Sequence, residues 1–364
     1  MKIKVAVQRE LRQPLTIEDV TLADPGPDEV LVKTVACGVC HSDLHALNGS
    51  ITLTPCPQVL GHEPAGIVLA VGDRVRNVAP GDHVIACTSI FCGACAQCVQ
   101  GRPFLCQDRG ASRRGDDEAP RISCGGETIH QYADLGAFAE AMLLHHRAVV
   151  RIDPDIPLDR AALVGCAVTT GVGAALNTAQ VTPGSAVVVF GAGGVGISII
   201  QGARIAGARQ IIAVDVNDDK LATALEFGAT ETLNSSGADV VRQLRKMTRG
   251  GADFAFEAVG MPSLLEQAFY CLAPRGTAVL VGAIPTGEHV SVNAGHFFLE
   301  KRIIGCMMGS NRFTLDAPRY LELYRQGRLD LDRMVTRHEP LERVNEAFRA
   351  MAAGEVTRTV LTFD

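Results

Sequence analysis

The sequence lacks the features that mark membrane-spanning, secreted and nucleic-acid-binding proteins. No uninterrupted apolar stretch among its 364 residues reaches the roughly 18 that a membrane-spanning helix needs. The N-terminus, "MKIKVAVQRE", alternates charged and apolar residues and does not predict a signal peptide. The formal net charge is -6, with acids and bases mixed along the chain, which argues against a surface for nucleic acid or anionic membrane. We therefore expect a cytoplasmic protein without membrane or nucleic-acid partners that binds a small molecule.

The chain is long enough for two domains, and its 47% apolar residues can supply two cores. Residues 1 to about 165 contain short alternating strands separated by Gly, Pro and Asp turns, which predicts a mainly β domain. From about residue 183, β-branched runs alternate with helical segments, which predicts a parallel sheet and an α/β fold class. The final stretch, "TRTVLTF", predicts a strand. The pattern does not decide which of the two domains contains the strand that it pairs with.

A glycine-rich turn, "VVVFGAGGVGISII", places Gly191, Gly193 and Gly196 between an apolar strand and a helix. Such glycines permit a tight bend, a close approach of the backbone to a pyrophosphate, and close packing of helix on strand. Asp215 ends the next strand, 19 residues beyond Gly196. A carboxylate there binds both hydroxyls of an adenosine ribose and repels a 2′-phosphate. The pattern predicts NAD rather than NADP, the alternative being an ordinary glycine turn with a surface aspartate.

Four cysteines, Cys92, Cys95, Cys98 and Cys106, are clustered in "CGACAQCVQGRPFLC". Disulfides are rare in the reducing cytosol, where grouped thiolates more often hold metal. The spacing suits four thiolates around one tetrahedral zinc ion, and such a closed site is structural. An iron–sulfur cluster or free buried thiols are the alternatives. Iron–sulfur runs usually have a proline after the last cysteine, where this chain has Gln107.

A catalytic zinc ion needs three protein ligands and one free position. Candidate ligands occur in three separate stretches, "CGVCHSDLH", "GHEPAG" and "VGCAVTTGVGA". The candidate residues are Cys37, Cys40, His62 and Cys166. Taken singly, each cysteine could be an ordinary buried thiol, and His62 could be a turn histidine whose hydrogen bonds are satisfied. Taken together with a nicotinamide-binding loop, they suggest a Cys2His site in which a metal ion polarises an alcohol oxygen.

These motifs, with "AVDVNDDK" and the terminal "TRTVLTF", resemble the zinc-dependent medium-chain alcohol dehydrogenases across essentially the whole chain. The resemblance implies a GroES-like, mainly β catalytic domain over residues 1–167 and 309–364, with a structural zinc lobe at about 90–108. It implies a Rossmann domain, a doubly wound parallel sheet that binds NAD, over residues 168–308. It also implies reversible oxidation of an alcohol to an aldehyde or ketone, with two Zn²⁺ ions per chain and NAD.

The resemblance assigns metal-binding roles by position. Cys40, His62 and Cys166 match the catalytic zinc ligands, a Cys2His set already known in alcohol dehydrogenases. Glu63 matches an acidic neighbour that binds the metal transiently, and Cys37 matches no ligand. The structural zinc lobe is matched by Cys92, Cys95, Cys98 and Cys106.

The resemblance also assigns a proton relay and the contacts to the coenzyme. Ser42 matches the hydroxyl that meets the substrate oxygen, and His45 the histidine that ends a proton path through the nicotinamide ribose. The implied coenzyme contacts are His41 and Arg358 for the pyrophosphate, Asp215 and Lys220 for the adenosine ribose, Thr170, Val195 and the backbone of Val281, Gly282 and Ala283 for the nicotinamide, and Gly191, Gly193, Gly194 and Gly196 for the phosphate-binding turn.

Glutathione-dependent formaldehyde dehydrogenases are the nearest alternative, and they share the loop "ISCGGETIHQYADLGAFAE" (122–140). Their relay position usually holds a tyrosine that acidic residues follow. Here His45 fills that position and "NGSITLTP" (48–55) has no acid. Arg113 and Arg114 keep the alternative open, because an arginine can bind the carboxylate of a thiol adduct.

Two further alternatives concern the class of protein. A non-catalytic zinc- and nucleotide-binding relative would not need the proton path of Ser42 and His45. A polyol dehydrogenase would usually have a carboxylate in place of Cys166. Neither fits the residues as well as an alcohol dehydrogenase.

Substrate size and oligomeric state are expectations from single features. Thr88 stands where relatives often have a large aromatic residue, which predicts room for bulkier allylic, aromatic or cyclic alcohols. The long loop between Cys106 and Phe138 is typical of dimeric family members. We therefore expect a homodimer, formed through an edge strand near "KRIIGCMMG".

Overall fold

The structure is a computed structural model that describes residues 1–115, 117–237 and 239–363. The chain divides into two compact units. The first comprises Met1–Cys166, Arg312–Arg325 and Leu331–Asp364, and the second Ala167–Asn311 and Gln326–Asp330. Ala167, residues 309–311 and Gln326–Asp330 fall in the second unit, whereas the resemblance implied that they belong to the catalytic domain.

The strands are numbered in chain order. They are β1 (Lys2–Gln8), β2 (Thr16–Leu22), β3 (Glu29–Gly38), β4 (Gln58–Val59), β5 (Pro64–Val71), β6 (His83–Ala86), β7 (Ile122–Cys124), β8 (Glu127–Thr128), β9 (His130–Gln131), β10 (Ala141–His145), β11 (Val149–Arg151), β12 (Ala186–Phe190), β13 (Gln210–Asp215), β14 (Glu231–Asn234), β15 (Ala252–Glu257), β16 (Leu272–Leu280), β17 (Arg302–Gly305), β18 (Arg337–Pro340) and β19 (Thr359–Thr362).

The helices follow the same convention. They are α1 (His41–Asn48), α2 (Ala96–Val99), α3 (Leu158–Ala161), α4 (Ala167–Gly173), α5 (Gly194–Ile205), α6 (Asp218–Glu226), α7 (Val240–Met247), α8 (Pro262–Tyr270), α9 (Phe313–Arg325) and α10 (Val344–Ala352). Short 3-10 turns connect many of them, and α4 continues into a π-helical turn at Ala174–Thr178. No single helix in the described ranges is long and apolar enough to cross a membrane; one bent pair, Leu158–Gly165 with Ala167–Thr178, passes by length and composition alone.

The first unit contains two largely antiparallel sheets. One has the order β8-β7-β2-β1-β4-β9, and the other β11-β6-β5-β3-β19-β18, with β10 also paired to β3. The terminal strand β19 lies antiparallel to β3, so the strand predicted at "TRTVLTF" belongs to this unit. Buried side chains such as Val5, Val32 and Phe138 form the core. The mainly β prediction is confirmed.

The second unit is built on a parallel sheet of order β14-β13-β12-β15-β16-β17. The first strand, β12, lies between β13 and β15 and is buried along its whole length. Burial on both faces explains its continuous apolar run "AVVVF", because helices cover both faces of such sheets. The order 3-2-1-4-5-6 is that of the doubly wound dinucleotide-binding fold, which confirms the predicted fold class.

Candidate functional site

Strand pairing brings Cys40 and His62 together. In the antiparallel ladder between β3 and β5, Cys37 is opposite Pro64. The amide of Gly38 continues the contact by donating to the Glu63 carbonyl at 3.0 Å. Cys40 follows the end of β3 and His62 precedes the start of β5. Residues 22 positions apart therefore meet at the same end of the sheet.

Cys166 reaches the same place from a tight turn. It follows the 3-10 turn Ala162–Gly165. A Cβ atom on Gly165 would lie 2.5 Å from the carbonyl oxygen of Ala86, so only glycine lets this turn approach the end of β6. The ligand atoms of Cys40, His62 and Cys166 all lie within 4.8 Å of one another, and all three residues are buried. Two thiols and an imidazole in this arrangement fit a tetrahedral metal ion with three protein ligands.

Asp43 fixes the orientation of His62. Its Oδ1 lies 2.8 Å from His62 Nδ1 and accepts a hydrogen bond from the Gly61 amide at 3.0 Å. Its Oδ2 accepts one from the Cys40 amide at 3.1 Å. The carboxylate is completely buried. With Nδ1 engaged, Nε2 is the nitrogen that remains for a metal ion, as in the carboxylate–histidine pairs of zinc sites.

Burial and mutual hydrogen bonds shift the pKa values of these three residues strongly. Burial alone would lower the pKa of His62, but the charge and hydrogen bond of Asp43 raise it well above its usual value. A hydrogen bond from Cys166 holds the pKa of Cys40 well below that of a free thiol, and Arg358 and His62 act in the same direction. Cys40 is therefore the first thiolate of the pair. Sharing its proton with Cys40, together with burial, raises the pKa of Cys166.

A buried ion pair lies beside the trio of Cys40, His62 and Cys166. Glu63 is completely buried, and its Oε2 lies 3.5 Å from Nε of Arg358. Arg358 also donates to the Val39 carbonyl at 3.0 Å. Burial disfavours the charged guanidinium, but Glu63 and the neighbouring thiols raise the pKa of Arg358 overall. Arg358, predicted to bind the pyrophosphate, is thus held next to Glu63, the predicted acidic neighbour of the catalytic metal ion.

The two predicted relay residues lie on helix α1, which begins directly after Cys40. Ser42 Oγ is 3.8 Å from the Cys40 sulfur. His45 lies one turn further along the helix, and its buried Nδ1 has no hydrogen-bond partner within the described residues. A buried imidazole nitrogen of this kind suits a hydroxyl partner from a bound molecule.

The four cysteines of residues 92–106 are brought together in a separate cluster. Their sulfur atoms lie within 4.8 Å of one another, with separations of 3.9 Å for Cys92–Cys98, 3.5 Å for Cys95–Cys98 and 4.0 Å for Cys95–Cys106. Zinc–sulfur bonds of about 2.3 Å in a tetrahedron place the sulfurs about 3.8 Å apart. These distances exclude disulfides, and all twelve cysteines are free.

Backbone amides point at the sulfurs of the cluster. The amides of Ala94 and Cys95 donate to the Cys92 sulfur at 3.4 and 3.3 Å, and that of Gln107 donates to the Cys95 sulfur at 3.5 Å. These amides lower the pKa of Cys92 and lower that of Cys95 to about 6. Arg147 donates to the Cys92 carbonyl and anchors the cluster to the end of β10. The loop is therefore arranged to stabilise the thiolates of Cys92 and Cys95, whereas burial raises the pKa of Cys98 to about 12.

The glycine turn of the second unit has the predicted geometry. Gly191 has a φ of +94°, and a Cβ atom on Gly196 would lie 1.8 Å from the Gly191 carbonyl oxygen. A Cβ atom on Gly193 would meet nothing within 4 Å, so this backbone faces open space at the N-terminus of α5. Gly194 and Val195 form the first turn of that helix. Amides at a helix N-terminus are a suitable site for a pyrophosphate.

Asp215 joins the end of β13 to the glycine turn. Its Oδ2 accepts a hydrogen bond from the Ala192 amide at 2.8 Å, and its Oδ1 accepts one from the Val216 amide at 2.8 Å. Lys220 lies in the first turn of α6, capped by Asn217. The carboxylate is half-buried at the carboxyl end of the sheet, where ligands of such folds bind.

The remaining predicted coenzyme residues are placed by backbone contacts. The amides of Val281 and Gly282 both donate to the Glu257 carbonyl at 2.9 Å, which fixes the segment up to Ala283 at the end of β16. Thr170 is buried on α4, with its hydroxyl 3.6 Å from the Met308 sulfur. His41 is exposed at the start of α1 in the first unit.

Sequence comparison matches both units to one family. Residues 26–154 match the model described as alcohol dehydrogenase GroES-like domain, and residues 194–324 match that described as zinc-binding dehydrogenase. An alcohol dehydrogenase zinc-binding domain protein from Burkholderia ambifaria is 36% identical over 100% of this chain and 99% of its own, with a TM-score of 0.95. The chain belongs to the zinc-binding alcohol dehydrogenase family. The predicted resemblance is confirmed.

Two other solved members of the family differ in what their names report. A benzyl alcohol dehydrogenase from Acinetobacter calcoaceticus is 31% identical, with 100% of both chains covered and a TM-score of 0.94. A putative zinc-binding dehydrogenase from Sinorhizobium meliloti, bound to NADP, is 28% identical, with 100% of this chain and 99% of the other covered and a TM-score of 0.84. The first name thus reports a substrate, benzyl alcohol, and the second a coenzyme, NADP.

Sequence reasoning missed Asp43 and Tyr132. Tyr132 donates from its hydroxyl to the Ser42 carbonyl at 3.1 Å, and its ring meets that of His62 edge-on with centroids 5.7 Å apart. Asp43 could have been found from its position: it is the third residue of α1, where its side chain completes a capping box with Cys40. Tyr132 lies in an irregular loop with no periodic pattern, so no comparable signal pointed to it.

The two arginines that kept a glutathione adduct under consideration are both engaged in ion pairs. Arg113 donates to Asp134 at 2.7 Å. Arg114 pairs with the buried Glu29 at 2.6 Å and donates to the carbonyls of Asp24 and Ala119. Arg114 is thereby committed to partners within the chain, whereas Arg113 pairs with Asp134 but keeps a largely exposed side chain.

Proposed function

We propose that the protein is an NAD-dependent alcohol dehydrogenase that reversibly oxidises a primary or secondary alcohol to an aldehyde or ketone. The observation that carries the proposal is the buried trio Cys40, His62 and Cys166, whose ligand atoms lie within 4.8 Å of one another. Three protein ligands leave a zinc ion one position for substrate. The four-cysteine cluster would hold a second, structural zinc ion, giving two per chain.

The chemistry of the site divides between the metal and the protein. A bound zinc ion supplies a Lewis acid that lowers the pKa of an alcohol hydroxyl. Asp43 engages Nδ1 of His62, so Nε2 would be the nitrogen that holds the ion, and Tyr132 packs against the same ring. Glu63, paired with Arg358, provides a carboxylate beside the ligands. These contacts fix the ligands before the substrate binds, so little reorganisation accompanies the reaction.

The proton of the alcohol would leave along helix α1. Ser42 Oγ, 3.8 Å from the Cys40 sulfur, would accept this proton as the substrate is oxidised. His45, whose buried Nδ1 has no partner within the described residues, would release it toward solvent. General acid–base groups placed in this way contribute about 10²–10⁴-fold to rate.

The coenzyme would be held by the residues of the glycine turn and by Asp215. NAD, when bound, would supply the acceptor for the hydride of the substrate. The open space beside Gly193 would admit its pyrophosphate, and the Asp215 carboxylate favours ribose hydroxyls over a 2′-phosphate. Lys220, Thr170, Val195 and the backbone of residues 281–283 would complete the contacts in the second unit. His41 and Arg358 are the predicted pyrophosphate cations of the first.

The substrate is proposed to be a bulky alcohol, allylic, aromatic or cyclic. Thr88 places a small side chain where relatives often have a large aromatic residue, and its carbonyl is held by Arg109. The likeness to a benzyl alcohol dehydrogenase supports an aromatic substrate. The engagement of Arg113 and Arg114 in ion pairs favours a reaction that needs no thiol.

A cytoplasmic homodimer is proposed as the working assembly. The edge strand predicted near "KRIIGCMMG" is β17, which pairs only with β16 in the described sheet. An unpaired strand edge can extend across a two-fold axis into the sheet of a second copy. A mass of about two chains in light scattering is the expected result, and a tetramer mass would contradict it.

An alcohol panel tests the proposed function. Initial rates would be measured with benzyl, cinnamyl, cyclic and short aliphatic alcohols, with NAD or NADP and with or without glutathione. The proposal expects thiol-independent reduction of NAD, fastest with the bulky alcohols. A strong preference for ethanol would contradict the substrate class, and absence of turnover with every alcohol would contradict the function.

A further inference from the structure

The second unit contains an open cavity of about 540 Å³ that none of the coenzyme residues line. This volume is within the range of sites for small organic ligands. The cavity lies among α7, the end of α8 and the segment that leads into β17. Its lining residues are Val241, Arg245, Tyr270, His296, Leu299 and Lys301. The lining has nitrogen bases and apolar surface but no carboxylate.

Lys301 is unusual among the lining residues because it is only 3% exposed. Its Nζ lies 3.4 Å from His296 Nδ1 and 5.6 Å from the centre of the Phe269 ring. Across the described ranges, no carboxylate oxygen is paired with this ammonium group. A buried charge without a counter-ion is costly, and burial together with Arg245 lowers the pKa of Lys301. An anion in the cavity would supply the missing opposite charge.

Arg245 provides a second, fixed positive charge. One guanidinium nitrogen donates to the Leu272 carbonyl at 3.0 Å, which holds the side chain against the start of β16. Its hydrogen-bond partner among the described residues is thus a neutral carbonyl, and Arg245 itself lines the cavity. A guanidinium has five N–H donors in a planar fork that matches a carboxylate.

The remaining lining residues favour an apolar ligand body. Tyr270 and His296 meet edge-on with ring centroids 5.2 Å apart, and the Tyr270 hydroxyl accepts a hydrogen bond from the Asn293 amide at 2.8 Å. This contact fixes the ring as one wall. Val241 and Leu299 supply aliphatic surface. A small hydrated anion such as phosphate would leave these surfaces unused.

We propose that this cavity binds a small organic carboxylate with an aromatic or aliphatic body. The carboxylate would pair with Arg245 and Lys301, and the body would contact Tyr270, Val241 and Leu299. The site lies in the second unit alone and does not depend on the proposed oxidation of alcohols.

Calorimetric titration with benzoate tests the proposal. The full-length protein should bind benzoate saturably, and Arg245→Gln and Lys301→Met should each weaken binding about tenfold or more, as expected for loss of a charge-assisted hydrogen bond. Arg242→Gln is the matched control, because Arg242 is an exposed residue of the same helix that does not line the cavity. It should bind benzoate like the unmodified protein.

Titrations with other ligands distinguish a carboxylate site from the alternatives. Benzamide, which has the same body without the charge, should bind about tenfold more weakly than benzoate or not at all. If benzoate binds at another site, for example at a metal ion, all variants should bind it with equal affinity. That result would overturn the proposal. Saturable binding of inorganic phosphate with none of benzoate would also overturn it. Since Arg245 is exposed, its substitution keeps the test valid if Lys301→Met does not fold.

Discussion

His62 Nδ1 and Asp43 Oδ1 are 2.8 Å apart in a fully buried pair. The same carboxylate accepts hydrogen bonds from the amides of Cys40 and Gly61. One side chain therefore connects the start of helix α1, which follows Cys40, to the loop that contains His62. Two of the three proposed ligands depend on it for their position.

Replacing Asp43 with asparagine should loosen the catalytic metal site. Asparagine has a donor where the carboxylate accepts, so at least one of the three contacts is lost along with the charge. Outer-shell changes of this kind cost about 10–100-fold in metal affinity, and zinc should transfer to a chelator correspondingly faster. Asp19→Asn, at an exposed position, is the control. Equal rates of zinc loss in both variants would show that Asp43 does not position the ligand.

The four-cysteine cluster should hold a zinc ion that stabilises the loop without taking part in the reaction. Cys95→Ser should reduce the metal content from two ions per chain to one and lower the melting temperature. Cys124→Ser changes a cysteine outside both clusters, which donates to the Asp19 carbonyl, and should keep both ions. Retention of two ions by Cys95→Ser would contradict the assignment.

Coenzyme preference should depend on the charge of Asp215. Asp215→Asn keeps the size of the side chain but removes the repulsion of a 2′-phosphate. The ratio of kcat/KM for NAD to that for NADP should fall about tenfold or more. Asp219→Asn, exposed at the start of α6, should keep the original ratio. A protein that already prefers NADP would refute the proposed role of Asp215.

Acid sensitivity should depend in part on His145. Burial and the neighbouring His146 and Arg147 lower its pKa from 6.5 to about 4. Its Nδ1 accepts a hydrogen bond from the Arg147 amide at 3.1 Å, and protonation would break this bond. Because the unfolded chain binds this proton more readily, His145 reduces stability as the pH falls from about 6.5 to about 4.

His145→Gln should therefore flatten the decline of melting temperature across that pH range. The control is His289→Gln, at an exposed position, which should keep the slope of the unmodified protein. A slope for His145→Gln that matches the control would contradict this account of the acid sensitivity.

Features that are local in the sequence were predictable. Cys92, Cys95, Cys98 and Cys106 lie within 15 residues, so their spacing alone indicates one site. The glycine turn and Asp215 follow consecutive strands of a parallel sheet, whose carboxyl ends must meet at one edge. In both cases the chain has little freedom to separate the residues.

Features that depend on long-range pairing were not predictable from periodicity. The meeting of Cys40 with His62 requires the register of β3 against β5, and Cys166 requires the close approach of Gly165 to β6. Only resemblance to a family joined these three residues. The pairing of β19 with β3, which places Arg358 beside Glu63, has no local signal at all. The ion pairs of Arg113 and Arg114 were likewise invisible, because their partners lie 21 and 85 residues away.

Zinc content and NAD reduction, measured together for Cys166→Ser and the unmodified protein, test the central claim most directly. The unmodified protein should contain two zinc ions per chain and oxidise benzyl alcohol. Cys166→Ser should retain the ion of the four-cysteine cluster, fold normally and lose nearly all turnover. Cys56→Ser, a cysteine outside both clusters, should behave like the unmodified protein. Undiminished turnover in Cys166→Ser, or full zinc content in that variant, would contradict a catalytic zinc ion held by Cys40, His62 and Cys166.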